Sequence, residues 1–151
     1  MAESATSAPR WGFLGGHLCL DFANTVDWHA SDRPEELLTS YGEFVEWSQR
    51  AGILTEEQAQ SLLRQAAERP DAAEAVLKQA IVLREVIYKV FAAIAHRRSP
   101  QDAELNRLNA ALSEMLVRSR ITPTEAGFRW QWAGEEDALN RPLWSIARSA
   151  A

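Results

Sequence analysis

A chain of 151 residues is long enough for one domain with a real core, since about 68–70% of the unfolded surface is buried at roughly this length. Its 46% hydrophobic and 25% charged residues describe an ordinary globular protein, and its net charge of -5 argues against a nucleic-acid-binding surface. The single cysteine, Cys19, excludes an internal disulfide and any multi-cysteine zinc site, which fits a reducing cytoplasm.

The opening MAESATSAPR has no basic region followed by an apolar run, so no signal peptide is expected. No apolar stretch approaches the roughly 18 residues of a membrane span, and a cytoplasmic location without a membrane partner is expected. Residues 1–10 are expected to form a loose tail and 11–151 the domain. Trp11 and Phe13 alternate about Gly12 and predict a short strand near 11–14, ended by Gly15-Gly16. From His17 to Trp28 the helical wheel gathers Leu18, Cys19, Phe22, Ala23 and Val26 on one side. Asp21, Asn24, Thr25 and Trp28 lie on the other. An amphipathic helix is expected, with a strand as the competing reading.

Ser40 with Glu43 and Thr55 with Gln58 have capping-box spacing, and each opens a helix, the first running to Gly52. A central helix spans Asp71 to Arg98. At about 100° per residue, Leu77, Ala80, Ile81, Tyr88, Phe91 and Ala95 share an apolar arc, while Lys78, Glu85, Lys89 and His96 form a solvent stripe. Ser99-Pro100 is expected to cap and start the next helix, with Leu105, Leu108, Leu112, Met115 and Leu116 on its apolar face. Phe128, Trp130 and Trp132 alternate with Arg129 and Gln131, so residues 117–133 predict a hairpin with a loop over Pro123 to Gly127, to which Trp11 and Phe13 could add a third strand. Leu139, Leu143, Ile146 and Ala147 predict a closing helix. The fold class is α+β: a mostly helical single domain with a small antiparallel sheet.

Motif chemistry is thin. His17, His29 and His96 are scattered. His17 and Asp21, four apart, could share a metal, but surface polar residues are the plainer reading. Gly15-Gly16 could present N–H groups to an anion, or simply turn the chain. There is no nucleophile elbow and no phosphate loop, and Cys19 on an apolar arc reads as an inert thiol. Trp130, Trp132 and Trp144 could line a ligand pocket or fill the core. Arg118 and Arg120 beside aromatics point only weakly to nucleic acid. Arg84 is the least ordinary residue, a charge near the centre of the apolar arc. Asp21 is its expected partner, with Asn24 and Thr25 nearby. Ligand binding and snorkelling are the alternatives.

The stretch Gly15-Gly16-His17-Leu18-Cys19-Leu20-Asp21-Phe22-Ala23-Asn24-Thr25 resembles the opening Gly-x-x-x-Leu-Asp-Phe-x-Asn-Thr pattern of the ABATE domain. That domain is the N-terminal part of bacterial CGNR zinc-finger proteins, proposed as stress-induced transcriptional regulators. Glu36-Leu37-Leu38 with Trp47 and Ala51-Gly52, then Leu83-Arg84, Leu108-Asn109 and the run Arg141 to Ala150 agree in order, so the resemblance covers roughly residues 11 to 151. It implies an α+β fold with a pocket for an unidentified ligand and a C-terminal zinc finger that carries DNA binding. No cysteine follows Cys19, so the Cys-Gly-Asn-Arg signature is absent. The chain is expected to be a piece of a longer regulator or a form without the finger, and neither zinc nor direct DNA contact falls on these residues.

The expectation is a non-catalytic sensor domain taking a small molecule near the first helix through His17, Asp21, Asn24, Arg84 and Trp144, with no metal and no cofactor. The alternative is an interaction or dimerisation module without a ligand, such as a homodimer. An enzyme ranks third.

Overall fold

The computed structural model describes residues 10–134 and 138–151. Residues 1–9 of the expected tail lie outside the described residues; Arg10 pairs with Glu43.

The order is α1 (Leu18–Ala23), β1 (Val26–Asp27), β2 (Glu35–Glu36), α2 (Tyr41–Arg50), α3 (Glu56–Glu68), α4 (Pro70–Ala95), α5 (Asp102–Val117), β3 (Ser119–Thr124), β4 (Gly127–Trp132) and α6 (Arg141–Ala150). The long α4 is central, with α1, α2, α3, α5 and α6 all packed against it. Two separate two-stranded antiparallel sheets, β1–β2 and β3–β4, complete the mostly helical α+β fold.

Local chemistry sets the helix ends. Thr55 Oγ1 accepts the Gln58 N–H at 3.2 Å and the Gln58 side chain accepts the Thr55 N–H at 2.9 Å, a complete capping box. Ser40 caps α2 through the Glu43 N–H, but the Glu43 carboxylate turns to the N–H and hydroxyl of Thr39 instead of closing the box. Gly52, at φ 78°, ends α2 in a left-handed turn: its N–H reaches Gln49 O, and that of Ile53 reaches Ser48 O. The same pattern ends α4 on a non-glycine residue, Arg97, at φ 55°. The helix expected from Ser99-Pro100 starts two residues later, because Glu104 reaches back to the Gln101 N–H at 3.3 Å.

Further expectations change. Residues 11–14 form no strand. Trp11 is buried, with the Arg50 guanidinium 5.5 Å from its ring centroid, and Phe13 stacks on Trp47 at 6.0 Å, so both aromatics act as plugs over the helices. The first helix stops at Ala23 rather than Trp28. Thr25 Oγ1 donates to Phe22 O at 2.7 Å, a local bond that competes with helix continuation, and the chain enters β1. The hairpin loop is only Glu125-Ala126, because Pro123 stays in β3 opposite Phe128. Its missing N–H is tolerated on a sheet of two strands, each with a free edge.

The buried face of α4 runs through Ala73, Val76, Ala80, Leu83, Arg84, Ile87 and Val90, about 60° round from the arc read off the wheel at 100° per residue. The helix is apolar on most sides, so the wheel alone leaves its orientation loose. Glu85 leaves the expected solvent stripe and Arg84 explains why.

Candidate functional site

Arg84 is 2% exposed, confirming the buried charge but not the expected acid. Nη1 and Nη2 donate to the two carboxylate oxygens of Glu36 at 2.6 and 2.7 Å, a two-pronged fork. Nε and Nη2 also donate to Glu85 Oε1 at 3.2 and 3.0 Å, and Nη1 approaches Thr25 Oγ1 at 3.4 Å. These bonds match the five N–H donors of a guanidinium. The far oxygen of Glu85 accepts from His29 Nε2 at 2.7 Å. Asp21 is committed elsewhere, its Oδ1 accepting the Gly15 N–H at 2.7 Å. A Cβ on Gly15 would lie 2.8 Å from Leu20 Cβ and 3.0 Å from that oxygen, so the turn before α1 needs a glycine there.

Burial pushes the Glu36 carboxyl up, but the Arg84 guanidinium and the backbone N–H groups of Leu38 and Leu37 outweigh it and hold the acid below its ordinary value. The result is a closed clamp. It ties β2 and the segment after α1 to the middle of α4 and leaves Arg84 no donor for a ligand.

One residue earlier on α4, Leu83 faces a different environment. With Val82 and Val86 it lines a cleft of about 400 Å³ whose other walls are Arg107, Ala111 and Glu114 on α5 and Leu143, Trp144 and Ala147 on α6. Trp144 is 3% exposed, yet its Nε1–H has no hydrogen-bond partner among the described residues, a state shared with Trp11 and Trp47, which line no cleft described here. Trp132 packs on Trp144 at 5.7 Å between ring centroids, and the Arg118 guanidinium lies 5.0 Å from the Trp144 ring. Glu114 accepts from Asn140 Nδ2 at 3.0 Å, and Arg118 stands 4.0 Å from the same oxygen. Arg107 is exposed at the rim and no ion-pair partner is found for it among the described residues. A larger groove of about 610 Å³ runs along α3 and α4, but its charged side chains, Glu74 and Lys78, neutralise each other at 2.8 Å.

The five residues expected to form one site are therefore dispersed. His17 is an exposed residue preceding α1, Asn24 is exposed at its end, Asp21 holds the Gly15 turn, Arg84 fills the clamp and Trp144 lines the cleft. Sequence reasoning missed Glu36 and Glu85. Glu85 sits on the same helix as Arg84, whereas Glu36 comes from a two-residue strand with no periodic signal. No group of three or more His, Cys, Asp or Glu able to hold a metal occurs among the described residues, and none of their helices is long and apolar enough to cross a membrane.

These features define a helical α+β domain with a tightly cross-linked charge cluster beside an open, mainly apolar cleft. Residues 16–151 match the model of the ABATE family, described as "putative stress-induced transcription regulator", and the chain belongs to that family. Neither a curated protein nor a solved structure matches the chain.

Proposed function

We propose that this chain is the ligand-sensing, non-catalytic domain of a bacterial stress-responsive transcription regulator working in the cytoplasm. The family supplies the regulatory context. The observation that carries the sensing role is the cleft of about 400 Å³ between α4, α5 and α6. Its size and mixed lining suit a small molecule, and the Trp144 side chain forms part of its wall. Trp144 is the direct contact in this reading. Arg84 acts behind it by fixing the stretch of α4 that carries Leu83. His17, Asp21 and Asn24 belong to the α1 side, the first two shaping the entry to that helix and Asn24 ending it. DNA binding is assigned to a zinc finger outside residues 1–151, and the sensor drives it only if the ligand binds two conformational states unequally.

Thermal shift against a broad set of small molecules tests the reading. A saturable rise in melting temperature, abolished by Ala110→Trp at the cleft wall, supports it. A stabilising compound whose effect is untouched by that plug places the site elsewhere.

The second reading is an interaction module. Register puts Ile121 opposite Trp130 and Pro123 opposite Phe128 on one face of the β3–β4 hairpin. Ile121 is 59%, Phe128 79% and Trp130 49% exposed, an apolar surface of the kind partners cover. A solution mass of twice the chain, restored to one by Phe128→Ser, favours this reading.

A further inference from the structure

Resting on the cleft as the sensing site, we infer that its occupant is an amphipathic monoanion, with an apolar body along Val86, Ala111, Leu143 and Trp144 and an anionic head held by Arg107. The charges around the cleft lead to this choice. Lys78 is engaged by Glu74 at 2.8 Å, and Glu114 accepts from Asn140 at 3.0 Å with the Arg118 guanidinium 4.0 Å from the same oxygen as its counter-ion. Arg107 is then the lining charge with no counter-ion found among the described residues. A guanidinium at the mouth of an apolar cleft can keep its stem against the wall and turn its head to a carboxylate, with which it forms strong two-pronged bonds. The walls behind it are aliphatic and indole surface, which rewards a hydrocarbon body and penalises a second charge deeper in. The protein as a whole carries a net charge of -5, so general attraction would favour cations. Preference for an anion would therefore report the local guanidinium.

The test compares three probes with the same ten-carbon tail, decanoate, decanol and decyltrimethylammonium, by titration calorimetry below their micelle concentrations. Decanoate is expected to bind roughly tenfold or more tightly than decanol, the scale of one charge-assisted hydrogen bond, and the ammonium most weakly. Arg107→Gln should reduce the decanoate preference to about twofold or less by the same reasoning, with its helical circular dichroism unchanged, whereas Arg129→Gln on the hairpin should preserve it. Equal binding of decanoate and decanol, both abolished by Ala110→Trp, overturns the anion assignment but leaves the sensing cleft standing. Strongest binding of the ammonium overturns it in favour of Glu114, and a loss equal in Arg129→Gln and Arg107→Gln overturns it as diffuse charge attraction. Failure of all three probes to bind overturns the inference, and if the thermal-shift set also fails, the sensing cleft falls with it.

Discussion

Leu83 and Arg84 are neighbours on α4, yet they open onto opposite kinds of chemistry. On the Arg84 side the donors of a buried cation are matched by two carboxylates and a threonine. On the Leu83 side a mainly apolar cleft is walled by an indole and carries an arginine without a counter-ion among the described residues. Satisfied polar groups rigidify a fold and have nothing left for a ligand. Unsatisfied ones beside empty volume retain that capacity. The unusual residue in the sequence marked the frame, and the ordinary tryptophan one helix away marked the opening.

The comparison is broken most directly at the clamp. Arg84→Ala should cost about 3 kcal/mol, the low end for removing one partner of a buried ion pair, since the two acids it leaves are 35% and 37% exposed, read by urea unfolding. A loss below about 1 kcal/mol, typical of an exposed pair, would show that the clamp is not structural.

Acid should probe the same cluster more gently. Because Glu36 is held below its ordinary value of 4.5, the unfolded chain takes up its proton first as pH falls. The carboxylate's contribution is therefore complete above that value and disappears as pH drops through the folded one. Glu36→Gln should lower stability near neutrality by about 1.5 kcal/mol, the low end for a hydrogen bond to a charged group, since the side chain is 35% exposed. It should also flatten the loss measured from about pH 6 to about pH 3. An unchanged acid slope would remove Glu36 from the account.

On the open side, Ala110→Trp should change stability by no more than about 0.7 kcal/mol, the helix-propensity difference at an exposed position, while blocking ligands. A large destabilisation would mean that the cleft wall is packed rather than open. Smallest of all, Phe128→Ser should shift the unfolding midpoint by an amount equivalent to less than about 0.5 kcal/mol. A larger loss would turn the exposed hairpin face into part of the core.

Much of this arrangement was legible beforehand. The Thr55–Gln58 cap, the alternation of Phe128, Trp130 and Trp132, and the Gly52 stop of α2 are local signals written in nearby residues. The Arg84 burial was legible too, because one charge interrupts an apolar pattern. Its partner was not: 48 positions separate Glu36 from Arg84, and no period marks a strand of two residues. Asp21 was the plausible acid by proximity to the expected helix, but the Gly15 N–H claims it. Of the cleft, only Trp144 stood out in the sequence. Val86, Ala111 and Leu143 have the composition of core, and only the spacing of three helices leaves volume between them.

The last helix belongs to both ends of this description. Leu143, Trp144 and Ala147 form one wall of the cleft, and further along α6 the Ser149 Oγ receives the Cys19 N–H at 3.0 Å, across 130 positions of sequence. α6 thus joins the cleft wall to the first turn of α1, beside the tight Gly15 bend that Asp21 secures.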